Sequence, residues 1–127
     1  METTISQQLI GAYLEAYNRF DVDGMVEHLH DEVVFRNVAD GEITMVTTGK
    51  ALFRQQAEQA MAYFSQREQR AIGWQTVGHR IEVGIDYSAT VAINLPNGLK
   101  PGDKLRMQGK SVFQFEADKI ISIEDIS

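Results

Sequence analysis

The chain of 127 residues has no cysteine, which rules out disulfides, thiolate nucleophiles and cysteine-ligated zinc or iron–sulfur centres. Proline is nearly absent too: Pro96 and Pro101 both fall in one turn-rich stretch, Pro96 to Asp103. Basic residues are outnumbered, 12 Lys and Arg against 18 Asp and Glu, and the net charge is −6 with no basic run. Such a balance disfavours binding to phosphate backbones or anionic membranes, so no nucleic-acid or membrane partner is expected. No stretch approaches the ~20 consecutive apolar residues of a membrane span. The opening, METTISQQLIGAYLEAY, has no basic n-region and is helix-periodic, so no secretory leader and a cytoplasmic location are expected. Histidines are few. His28 and His30, two apart, would project about 200° from each other on a helix and could not share a metal. His30 is expected at a helix C-terminus, and neither a metal nor a cofactor is predicted.

What is present fits one globular domain over residues 1–127, with 43% hydrophobic residues and about two-thirds of the unfolded surface buried. Thr4 and Gln7 have capping-box spacing, and Ile5, Leu9, Ile10, Tyr13, Leu14 and Tyr17 then recur at helical spacing. Phe20 and Asp21-Val22-Asp23-Gly24 end that helix and offer a carboxylate cap to a second one carrying Met25, Val26 and Leu29. From Asp31 the period becomes that of a strand, placing Val33, Phe35 and Asn37 on one face. A turn at Val38 to Gly41 leads into a second strand, Glu42 to Thr48. A third helix follows from Lys50, with Leu52, Phe53, Gln56, Ala57, Ala60, Met61 and Phe64 as its stripe.

The remainder reads as antiparallel strands: Gln69 to His79, Arg80 to Leu95, Lys104 to Phe115 and Lys119 to Ile126. Val83, Ile85, Tyr87, Ala89, Val91, Ile93 and Leu95 share one face of the second of these. In the next, Leu105, Met107, Gly109, Ser111, Phe113 and Phe115 do the same, and the small Gly109 and Ser111 leave room for a void or a bend. Helix, helix, hairpin, helix and meander give an α+β domain, an order that contains no βαβ phosphate loop.

This arrangement resembles the nuclear-transport-factor-2-like superfamily, specifically its ketosteroid isomerase and SnoaL-like polyketide cyclase branches. The resemblance implies a cone: a strongly curved mixed or antiparallel sheet roofed by three N-terminal helices, the cystatin-like or NTF2-like roll. It also implies a homodimer through the sheet face. Through the shared Tyr13, Asn18, Asp21-x-Asp23-Gly24 spacing, the oxyanion-holding tyrosine of ketosteroid isomerases falls on Tyr13. Their general base falls on Asn37, whose amide cannot carry a proton, and their second acid falls on Ser111. A standard ketosteroid isomerase is therefore not expected. The C-terminal run from Glu116 through Lys119-Ile120 to Asp125 resembles the SnoaL-type cyclases, whose late aspartate acts as acid and base; that role falls on Asp125.

An Asp125 that faces inward with Ile121 and Ile123 would titrate high enough to carry protons. The expected catalytic pair is Asp125 with Tyr13. The expected ligand contacts are Asn37, Tyr17, Phe35, Met45, Tyr63, Trp74, Tyr87, Met107, Ser111 and Phe113, around a small hydrophobic or cyclic molecule. The same residues equally suit a non-catalytic ligand-binding or dimeric association domain. A limonene-type epoxide hydrolase needs an inward Asp–Arg–Asp cluster, whereas Arg106 and Asp86 fall on the outward faces of their strands.

Overall fold

A computed structural model describes residues 3–127. Helix α1 (Thr3–Asn18) and the short α2 (Val22–Glu27) precede a hairpin of β1 (Leu29–Ala39) and β2 (Glu42–Thr48). Then come α3 (Lys50–Ala60), one 3₁₀ turn (Met61–Tyr63), and β3 (Phe64–Val77), β4 (Arg80–Val91), β5 (Lys104–Glu116) and β6 (Lys119–Ile126). The six strands form one sheet in the order β2-β1-β6-β5-β4-β3, with β1 and β6 parallel and every other pair antiparallel.

Local chemistry sets the boundaries. Phe20, at φ 59°, takes the chain out of α1, and Asp21 caps α2 by accepting from the Gly24 amide at 3.0 Å. The β1–β2 turn places Asp40 and Gly41 at φ 53° and 79°, the pattern of a two-residue hairpin. Extra residues in β1, β2, β3 and β6 mark bulges that bend the sheet. Gly109 is required for a different reason: a Cβ there would collide with the Ile126 carbonyl on β6, so β5 and β6 cross at backbone contact.

The roof is anchored at both ends. α1 packs on β3, α3 packs on β1 and β2, and α2 joins the two helices, so the three span the sheet edge to edge. Beneath them Ile10, Tyr13, Leu14, Met25, Phe53, Val83, Phe113 and Ile123 form part of a continuous core. Ile5 is the exception in the α1 stripe, at 46% exposed.

Several boundaries differ from those expected. The second helix stops at Glu27, so Leu29 and His30 belong to β1. His30 lies 3.5 Å from the Glu116 carboxylate and not at a helix end. Leu29 serves either period, and its pairing with Ile120 of the parallel neighbour decides for the strand. The third helix tightens into the 3₁₀ turn at Met61, and β3 starts at Phe64, because Phe64 already pairs with Val91. β4 ends at Val91, leaving Ile93 40% exposed. In β6 the bulge absorbs Ile121, so it is Ile120, fully buried, that joins Ile123 in the core. Thr4 lies inside α1, and a cap before Thr3 falls outside the described residues.

Candidate functional site

Between the helices and the sheet lies a cavity of about 320 Å³. One cross-strand row builds its first polar end: Met45 of β2 pairs with Asn37 of β1, Asn37 with Asp125 of β6, and Asp125 with Ser111 of β5. All four line the cavity. Ser111 donates its hydroxyl to Asp125 at 2.6 Å, and the Asn37 amide donates to Thr44 at 2.8 Å. Asp125 keeps some accessible surface because it borders the void, yet protein surrounds it closely. Burial pushes its carboxyl up to about 6, with the Ser111 hydrogen bond opposing the rise. Among the described residues it is the only Asp or Glu on the lining.

Tyr13 projects from α1 into the same space. Its ring stands edge-on to Phe113 at 5.9 Å and tilted to Phe53 at 6.4 Å, which fixes its direction. Its hydroxyl is held well above the usual tyrosine range by burial and by the Asp125 charge, so it remains an O–H donor at any ordinary pH. Phe35, Met25, Ile85 and Met107 supply the apolar middle.

The second polar end is built from β3 and the end of α1. Arg67, only 4% exposed, donates from Nε to the Tyr17 carbonyl at 2.8 Å and stacks 3.7 Å over the Tyr17 ring and 4.4 Å from that of Phe20. Beside it the Tyr17 and Tyr87 hydroxyls are 2.8 Å apart. Asn18 fixes the strand by exchanging hydrogen bonds with the Gln69 backbone at 2.7 and 3.1 Å. Arg67 and Gln69 both line the cavity, and neither stood out in the sequence: QREQR carries no apolar alternation and looks like a solvated strand. The available signal was register, since Arg67 pairs with the inward Ala89 and Gln69 with Tyr87.

Of the residues singled out from sequence, Tyr13, Tyr17, Phe35, Asn37, Met45, Tyr63, Tyr87, Met107, Ser111 and Asp125 all border this cavity. Two do not. Phe113 is fully buried behind Tyr13, supporting it instead of facing the void. Trp74 pairs with Val83, is 39% exposed and does not border the cavity. Asp86, Arg70 and Arg106 form a cluster, with Asp86 accepting from the two arginines at 2.7 and 3.2 Å. It occupies the opposite face of β4 from Ile85 and Tyr87 and takes no part in the cavity. Among the described residues, no three His, Asp or Glu side chains are grouped to hold a metal.

The model of the SnoaL-like domain matches residues 10–123, most of the chain, ending in β6 just before Asp125. The chain belongs to the SnoaL-like domain family. No curated protein matches it in sequence. Solved structures repeat the SnoaL-like fold at low identity. A proposed polyketide cyclase from Xanthomonas campestris pv. campestris superposes with a TM-score of 0.80 at 20% identity, covering 98% of this chain and 90% of that one. An LEH-like epoxide hydrolase from M. tuberculosis gives 0.77 at 17%, covering 99% and 84%. A protein with a ketosteroid isomerase-like fold from Catenulispora acidiphila gives 0.74 at 11%, covering 92% and 82%. The shared property is the NTF2-like cone.

Proposed function

We propose that this SnoaL-like protein binds a small hydrophobic or cyclic carbonyl compound in the cavity and moves a proton on it without a cofactor, as an isomerase or cyclase does. The observation that carries this reading is Asp125: a carboxyl lining an apolar void, held by Ser111, with its pKa raised to about 6. Such a group is ionised at neutral pH yet close enough to its pKa to accept a proton and return it. In the step we envisage, a C–H bond beside the carbonyl breaks and its proton passes to Asp125. The electron pair moves onto the carbonyl oxygen, which the Tyr13 O–H stabilises, and protonation at a second carbon returns the proton. Asn37 orients the ligand carbonyl or a water through its second amide N–H, the first being donated to Thr44.

The test is deuterium uptake at the acidic C–H of 2-tetralone in D₂O, followed by NMR. The wild type should accelerate exchange, with kcat/KM rising to a plateau above pH about 6 as Asp125 ionises. Asp125→Asn should lose at least ~10²-fold, and Tyr13→Phe ~10²-fold or more. Exchange no faster than in buffer, or full activity in Asp125→Asn, would sink the catalytic reading.

A non-catalytic binding role is the second reading, favoured by the amide at Asn37 where related isomerases place a base. Under either reading we propose a homodimer through the outer sheet face, where Ile43, Val46 and Ile72 are 58%, 54% and 51% exposed.

A further inference from the structure

Arg67 is an uncompensated cation in the wall of an apolar cavity. Of its five N–H donors, Nε–H alone is used, on the Tyr17 carbonyl; the Nη groups have no acceptor among the described residues, and Nη2 is shut off from solvent. No carboxylate among the described residues forms an ion pair with it. Burying a guanidinium this way is unfavourable unless a negative group meets it, and none of the described residues supplies one. The surroundings suit an anion. The Tyr17 and Tyr87 hydroxyls bond to each other, so whichever accepts keeps a proton free to donate outward. The other cation on the lining, Lys110, is half exposed and already meets Glu82 at 3.3 Å.

Asp125 occupies a different part of the cavity. It is set in the Asn37–Ser111 row, whereas Arg67 stands on β3, three strands from β6 in the sheet order. Tyr13 feels the charge of both.

We propose that Arg67 anchors a carboxylate on the ligand, so that the cavity selects a ring compound bearing an acid group at one end and presenting its opposite end to Asp125. This rests on the cavity being a ligand site and adds what kind of ligand it takes. Stacked over Tyr17 and close to Phe20, with Nε tied to the Tyr17 carbonyl, the guanidinium is held in one orientation, leaving Nη1 to meet a carboxylate oxygen.

Calorimetric titration with 2-naphthoate and with 2-naphthamide, equal in shape and different in charge, tests this at pH 7.5. The wild type should bind the acid at least tenfold more tightly. Arg67→Gln should abolish that preference while holding the amide within about threefold, Arg67→Lys should restore part of it, and Lys110→Gln should leave it intact. Because Arg67 also ties down the end of α1, an independent readout uses the wild type alone: the Arg67 Nε–H NMR resonance should shift on adding naphthoate and not on adding naphthamide. Equal affinity for the two compounds, or a preference that survives Arg67→Gln, overturns the anchor and leaves the ligand site standing. Binding of neither compound overturns the anchor and the ligand site together.

Discussion

Asp125 carries opposite consequences for chemistry and for stability. Its carboxyl titrates near 6 when folded against a usual value of 3.8, so between about pH 4 and 6 the native state binds more protons than the unfolded chain. Stability must therefore fall as pH rises through that window, by about 3 kcal/mol for a shift of this size. Asp125→Asn should flatten this stretch of the profile and raise stability at pH 7 by about 2 kcal/mol, read from urea unfolding at a series of pH values. An unchanged slope in the variant would show that the carboxyl is not desolvated. Asp86 acts in the reverse sense. Its hydrogen bond from Arg70, with Arg106 alongside, holds its pKa below the usual range, so its contribution is present above about pH 4 and lost below it. At this scale the sequence was uneven: Asp125, Tyr13 and Asn37 could be singled out because the resemblance to SnoaL-type cyclases and ketosteroid isomerases put family roles on them, a helical stripe agreeing for Tyr13 and a strand face for Asn37. Arg67 could not, since a buried arginine with polar neighbours leaves no trace in hydropathy.

At the scale of elements, the existence of each helix and strand was legible and the ends were not. Phe64 fits both the α3 stripe and a strand, and the choice is made by Val91 across the sheet, 27 residues away in sequence. Leu29 is decided likewise by Ile120. Turns were legible both where glycine marks them, as at Asp40-Gly41, and between Glu116 and Lys119, where Ala117 and Asp118 hold φ values of 52° and 62° without one. Alanine tolerates that conformation poorly. Ala117→Asn should relieve it and raise the urea midpoint, stabilising the domain by about 0.5 kcal/mol with an unchanged m-value. A drop in the midpoint would mean that the β5–β6 turn is held by contacts that the methyl group makes.

For the whole molecule, the cone follows from where the helices grip. α1 holds the β3 edge and α3 the β2–β1 edge, so bending the sheet is what brings both under one roof and encloses the cavity. The helices cover only the concave side. On the other side, Val46 and Ile43 stand exposed beside Arg36, a surface suited to a second copy. Light scattering should give a particle of twice the 14.3 kDa chain mass, and Val46→Glu should convert it to the single-chain mass. A monomeric wild type would remove the dimer from the account. The architecture was readable from the order of elements, but the slot taken by the last strand was not, because no periodicity encodes which neighbours a strand will find.

That slot has a consequence for how the protein folds. β6 is inserted between β1 and β5, parallel to a partner some ninety residues earlier in the chain. Until residues 119–126 take their place, β1 and β5 hold two unsatisfied hydrogen-bonding borders facing an empty lane. Neither the continuous sheet nor the lined proton carrier exists until β6 docks, so the folding chain is most vulnerable to mispairing while that lane stands open.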